Sequence, residues 1–212
     1  MKKTSSSSRR LLGALAVGAT VVSAVAFAGA GTGMAATGAL TLNYSCPFPL
    51  LGAQDMTVSI SVANLPDAAT VGVPTSEAQV VATATVGGGP TWGLNLFGAK
   101  TIEGTAVTTT TIDNAGMALN VSPSLTIPTT AVPASGTFDA VASGTVAPVT
   151  FANAGTTTYS VGGFSTTLTP RTADGSLTGL GTFTSNCTLK PGQNTTLYSF
   201  DVAPAAAPEA KE

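Results

Sequence analysis

Met56-Thr57-Val58-Ser59-Ile60-Ser61-Val62 alternates apolar and hydroxyl side chains without a break. In an extended chain successive side chains point to opposite faces. Met56, Val58, Ile60 and Val62 therefore share one face, and Thr57, Ser59 and Ser61 share the other. A period of two with one apolar face predicts a half-buried strand.

Working outward, residues 79–86 (QVVATATV) repeat the pattern. Further strands are expected over residues 40–46, 101–112, 118–127, 136–146, 156–161, 164–169, 181–189 and 196–202. Turn-forming runs separate them, among them Leu65-Pro66-Asp67, Gly87-Gly88-Gly89-Pro90, Asp113-Asn114-Ala115-Gly116 and Pro191-Gly192. Gly162-Gly163 has the composition of a tight hairpin between two short strands. No stretch sustains a helical period, and residues 91–100 are expected to form one helical turn. Short strands between turns predict an all-β chain folded as an antiparallel β-sandwich. The Pro-rich run over residues 127–136 then serves as a crossing between the two sheets.

The N-terminus reads as an export signal. Residues 1–10 (MKKTSSSSRR) are cationic, residues 11–28 are apolar and small, and Met34-Ala35-Ala36 offers a small-residue cleavage site. Cleavage after Ala36 is favoured, with Ala30 as the alternative. Arg9-Arg10 loosely matches a twin-arginine signal, and the general secretory route is preferred. The expected organisation is a signal peptide over residues 1–36, one secreted domain over 37–202 and a Pro/Ala-rich disordered tail over 203–212. No second apolar run of membrane length follows, so no membrane association is expected after cleavage.

Composition removes whole classes of mechanism. The chain of 212 residues has no His, two Cys and 8% charged residues. Without His there is no Ser-His-Asp triad and no His-ligated metal, and two Cys cannot build a four-thiolate zinc site. After cleavage Lys100, Arg171, Lys190 and Lys211 face ten acids, which leaves no basic surface for nucleic acid. No EF-hand pattern occurs, so Asp113-Asn114 and Asp174 read as ordinary turns, and no metal or cofactor is expected.

Cys46 and Cys187 are the only thiols, and an even count in an exported chain predicts a disulfide. It would close a loop of about 140 residues, worth roughly 5 kcal/mol on the chain-entropy model. An immunoglobulin domain sets its Cys pair on central strands around a core Trp. Here the pair lies near the two ends and Trp92 lies beside Gly89-Pro90, so the sandwich is expected to be immunoglobulin-like in architecture without being a true immunoglobulin domain.

Trp92 and Phe97 flank Gly93-Leu94-Asn95-Leu96 and are the candidate ligand-facing aromatics for a glycan. The more ordinary reading packs them into one end of the core. A hydrolase would have to use two of Asp55, Asp67, Glu77, Glu103, Asp113, Asp139, Asp174 and Asp201 across a sugar, and no pair stands out. A membrane-spanning β-barrel shares the alternation, but the runs here carry Thr and small residues rather than an aromatic-girdled band.

Three segments carry a family resemblance: residues 42–52 (LNYSCPFPLLG), 127–136 (IPTTAVPASG) and 187–197 (CTLKPGQNTTL). Together they resemble a family of secreted actinobacterial, Streptomyces-like proteins catalogued as a domain of unknown function. The resemblance implies a secreted β-sandwich with a terminal-strand disulfide and no established catalytic residue. The expected function is therefore non-catalytic: extracellular binding or a structural part of the cell envelope. Cell-wall glycan or another envelope protein is the expected partner. The alternative is a carboxylate-dependent hydrolase of wall glycan.

Overall fold

The computed structural model describes residues 35–207. The expected signal peptide lies outside the described residues except for Ala35 and Ala36, which begin the first strand, and residues 208–212 of the expected tail also lie outside them. Eleven strands and one helix are formed among the described residues. They are β1 (Ala35–Phe48), β2 (Gly52–Pro66), β3 (Ala68–Thr70), β4 (Ala78–Val86), α1 (Gly88–Leu96), β5 (Thr101–Asn114) and β6 (Met117–Val121). There follow β7 (Ser124–Ala131), β8 (Phe138–Val146), β9 (Gly155–Arg171), β10 (Phe183–Leu189) and β11 (Thr196–Ala203).

The strands do not make a sandwich. Eight of them close on themselves in the order β9-β10-β1-β2-β4-β8-β7-β5, with β5 pairing back onto β9 along both strands from Thr101↔Arg171 to Asn114↔Thr157. Every pairing around this ring is antiparallel. The architecture is a closed eight-stranded β-barrel, which corrects both the sandwich and the immunoglobulin-like expectation. Closure removes the free edges that a sandwich would have to protect.

The correction turns on β9. Gly162-Gly163 makes no hairpin; the strand runs straight through it. A Cβ at Gly162 would lie 3.0 Å from the Thr109 carbonyl oxygen, and one at Gly163 would lie 2.9 Å from that of Cys187. Glycine serves here for close backbone approach, at a point where β5 shifts register between Thr108 and Thr110. Before the glycines β9 pairs with β11, and after them with β10. The far halves of β5 and β9 thus leave the barrel and carry β6, β11 and β3 as an outlying sheet. Ile112, Phe151, Tyr159, Phe200 and Val202 pack beneath that sheet.

Two smaller differences have local causes. The single strand expected over residues 118–127 is divided into β6 and β7, because Pro123 cannot donate to a ladder. Residues 127–131 of the Pro-rich run belong to β7, and only the stretch after Ala131 connects it to β8. Ala203 remains paired with Thr70, and residues 204–207 are irregular and exposed.

Candidate functional site

The barrel interior is built from the inward positions of the alternating strands. One half is bulky: Leu42 and Tyr44 of β1, Val58, Ile60 and Val62 of β2, and Phe164 and Leu168 of β9. The facing half is small: Ala82 and Ala84 of β4, Ala140 and Ala142 of β8 and Ala106 of β5, with Leu125 and Ile127 of β7 among them. Eight strands leave an interior that side chains fill or that holds one small ligand. Alanine on one half leaves it unfilled, and a cavity of about 140 Å³ runs inside the barrel with an almost wholly apolar lining. Ala82 and Ala84 point inward yet keep partial accessibility, as wall residues of a void do.

Among the polar groups of the interior, the Tyr44 hydroxyl and the two cysteine sulfurs are engaged. The Tyr44 hydroxyl donates to the Gly162 carbonyl at 3.1 Å, and its ring meets Phe164 edge-on at 4.7 Å between centroids. Cys46 and Cys187 are joined across β1 and β10, both buried and both lining the cavity. Burial pushes the phenols of Tyr44 and Tyr159 up to about 12, because the phenolate loses its water. A raised folded-state value means that the stability tied to these phenols is complete below pH 10 and is lost as pH rises through 12. Phenolate absorbance is accordingly expected to show Tyr44 and Tyr159 titrating near 12, together with alkaline unfolding; titration of either near 10 would contradict their burial.

The two ends of the cavity differ. The connection from β4 to β5 passes over β8 and β7, and α1 is formed within it, laying Pro90 and Leu94 across one end of the barrel beside Ile102. This helix begins at Gly88, earlier than the turn expected from the sequence, and is fastened by Thr91 Oγ1 donating to the Gly87 carbonyl. At the opposite end the lining includes Asn64, Ser76 and Ala147, which are exposed to solvent, whereas at the α1 end Pro47 is exposed and the other lining residues are not, so we place the mouth at the Asn64 end.

The outer wall is rich in hydroxyls, with Val81, Val107 and Val141 as exposed apolar residues among them. Thr57, Ser59, Ser61, Thr85, Ser143 and Thr167 face outward, and hydroxyl pairs such as Thr41–Ser59 and Thr167–Thr184 link neighbouring strands. A membrane-spanning barrel carries its apolar band outside.

The charged side chains lie on this outside. Glu103 pairs with Arg171 at 2.6 Å, Asp55 with Lys190, Asp139 accepts from Thr85, and Asp201 accepts from Thr156. Hydrogen bonding to Arg171 holds the Glu103 carboxyl below its usual range, and hydrogen bonding to Thr172 does the same for Asp174 within its turn. No carboxylate lines the cavity, and no metal-binding group of three or more acids or cysteines occurs among the described residues. An outer groove lined by Asn43, Asp55, Thr57, Lys190 and Gln193 has polar groups that bond to one another, with Gln193 bonded to the Asn43 backbone and Lys190 to Asp55.

The aromatic pair singled out in the sequence is divided between two environments. Trp92 lies on the outer face of α1, 59% exposed, with Leu96 61% exposed one turn on. Phe97 is half-buried, its ring 3.3 Å from where a Cβ on Gly179 would lie. The cavity itself was not foreseen. Its signal was the alanine at inward positions of β4, β5 and β8, which reads as ordinary strand filling until the strands are known to face one another across a barrel.

The family model described as "Family of unknown function (DUF6801)" matches residues 43–198. No curated protein matches the sequence. Among solved structures, one described as a "Putative membrane anchored protein" from Corynebacterium diphtheriae is similar with a TM-score of 0.47 at 14% identity. That similarity covers 82% of this chain and 38% of the other.

Proposed function

This chain belongs to that family of unknown function, and from this premise we propose that it is a non-catalytic extracellular binding domain whose binding site is the apolar interior of its barrel. The observation that carries the reading is the cavity of about 140 Å³ lined by alanine, valine, leucine and aromatic side chains. An apolar cavity of about 150 Å³ in another protein stays dry and accepts benzene or xenon, so a void of this size and lining favours a small apolar guest. The disulfide is compatible with an extracellular or envelope location. The dispersal of Asp55, Asp139, Asp174 and Asp201 over the outer wall and turns supports binding over hydrolysis, since a glycosidase needs two carboxyls facing one substrate. The expected export and actinobacterial source belong to this reading. A cell-wall glycan or envelope protein would dock outside the barrel, where Trp92 is exposed.

Benzene titration followed by methyl NMR tests the site. Saturable shifts are expected for Ile60, Val80 and Leu94 inside the barrel, with Val81 and Val141 on the outer wall unmoved. Shifts confined to the outer residues, or none, would refute the interior site.

A further inference from the structure

We propose that the cavity takes the tail of a single-chain amphiphile whose head carries no negative charge, seated tail-first with the head at the mouth. The proposal rests on the binding reading above and names its ligand class. Shape is the first argument. The lining runs from Leu94 at the α1 end to Asn64 and Ser76 at the other, so about 140 Å³ is drawn out along the barrel. An apolar cavity extended in this way can take a methylene chain along its length.

Polarity sets the direction. The α1 end is floored by buried Pro90, Leu94 and Ile102. Its polar side chains are engaged: Gln54 donates to the Leu51 and Ala53 carbonyls, and Ser185 donates to that of Pro47. A head group there would lose its water with nothing to replace it. The mouth offers an exposed amide and hydroxyl on Asn64 and Ser76.

Charge sets the head. No Lys or Arg lines the cavity, and exposed Asp67 and Glu77 directly follow the rim residues Pro66 and Ser76. A carboxylate head would find no cation and would sit among like charges.

The test compares octyl glucoside with octanoate, both below their micellar concentrations, by calorimetry on the disulfide-intact protein, with benzene as a third probe. Octyl glucoside is expected to bind at least about tenfold more tightly than octanoate. Ala142→Leu, which fills the cavity, is expected to abolish octyl glucoside binding, and Ser59→Ala on the outer wall is expected to leave it unchanged. Should Ala142→Leu fail to fold, Ala84→Val provides the same test with a smaller addition. Benzene binding without octyl glucoside binding would overturn this proposal and leave the interior site standing. Equal binding of both amphiphiles would overturn the assignment of the head. Binding of none of the three probes would overturn this proposal and the interior site together.

Discussion

Removing the disulfide with Cys46→Ala and Cys187→Ala together is expected to lower the unfolding free energy by roughly 5 kcal/mol. The bond spans 141 residues, so its loss releases a long loop in the unfolded chain. The native seam it crosses is thin: β1 and β10 pair through Tyr44↔Leu189 and Ser45↔Thr188. This seam joins the first barrel strand to the last, and the Cys46–Cys187 bond lies next along it, facing inward. Urea unfolding of the double variant against the parent measures the effect. A loss of that size is a large part of the roughly 5–15 kcal/mol that holds a typical domain together. A loss below about 1 kcal/mol would mean that neither the loop nor the seam limits stability.

Gly104→Ala is expected to be the most damaging single substitution in the barrel wall. A Cβ there would lie 2.0 Å from the Thr167 carbonyl oxygen and 3.1 Å from the Leu168 Cα. Both are backbone atoms of β9, so no side-chain rotation relieves the clash. The position sits where β5 pairs with β7 on one side and β9 on the other, and its register against β7 shifts between Ile102 and Gly104. Accommodation requires the closing β5–β9 ladder to part, and a cost of about 4 kcal/mol or more is expected. Gly88→Ala supplies the comparison, since its Cβ would come no nearer than 3.8 Å to the Gly136 carbonyl oxygen; a change within about 0.5 kcal/mol is expected. Thermal unfolding of the two variants separates the cases, and equal stabilities would show that β5 and β9 are not closely apposed at Gly104.

The same glycines explain how far the fold could be read from the sequence. Alternation identified most strands, because residues such as Val58, Ile60 and Val62 must leave water while Thr57, Ser59 and Ser61 need not. Alternation has the same form in a sandwich and in a barrel, since each has one dry face. What distinguishes them is whether the last strand returns to the first, and that depends on curvature. The curvature signal was present as glycine inside strands, at Gly104, Gly144 and Gly162-Gly163. Gly162-Gly163 resembles a hairpin locally, and only its backbone neighbours, Thr109 and Cys187, reveal a close approach within a continuous strand. The disulfide was legible because two cysteines allow one intramolecular pairing. The cavity was not, because the alanines that leave it empty do so only against the bulky half opposite them.

A crystal structure determined under xenon pressure tests the central claim most directly. Xenon seeks dry apolar voids of this scale. The account predicts xenon inside a closed eight-stranded barrel, between Ala82, Ala84 and Ala142 on one side and Val58 and Ile60 on the other. A closed barrel whose interior stays free of xenon, or two open sheets in place of the barrel, would contradict it.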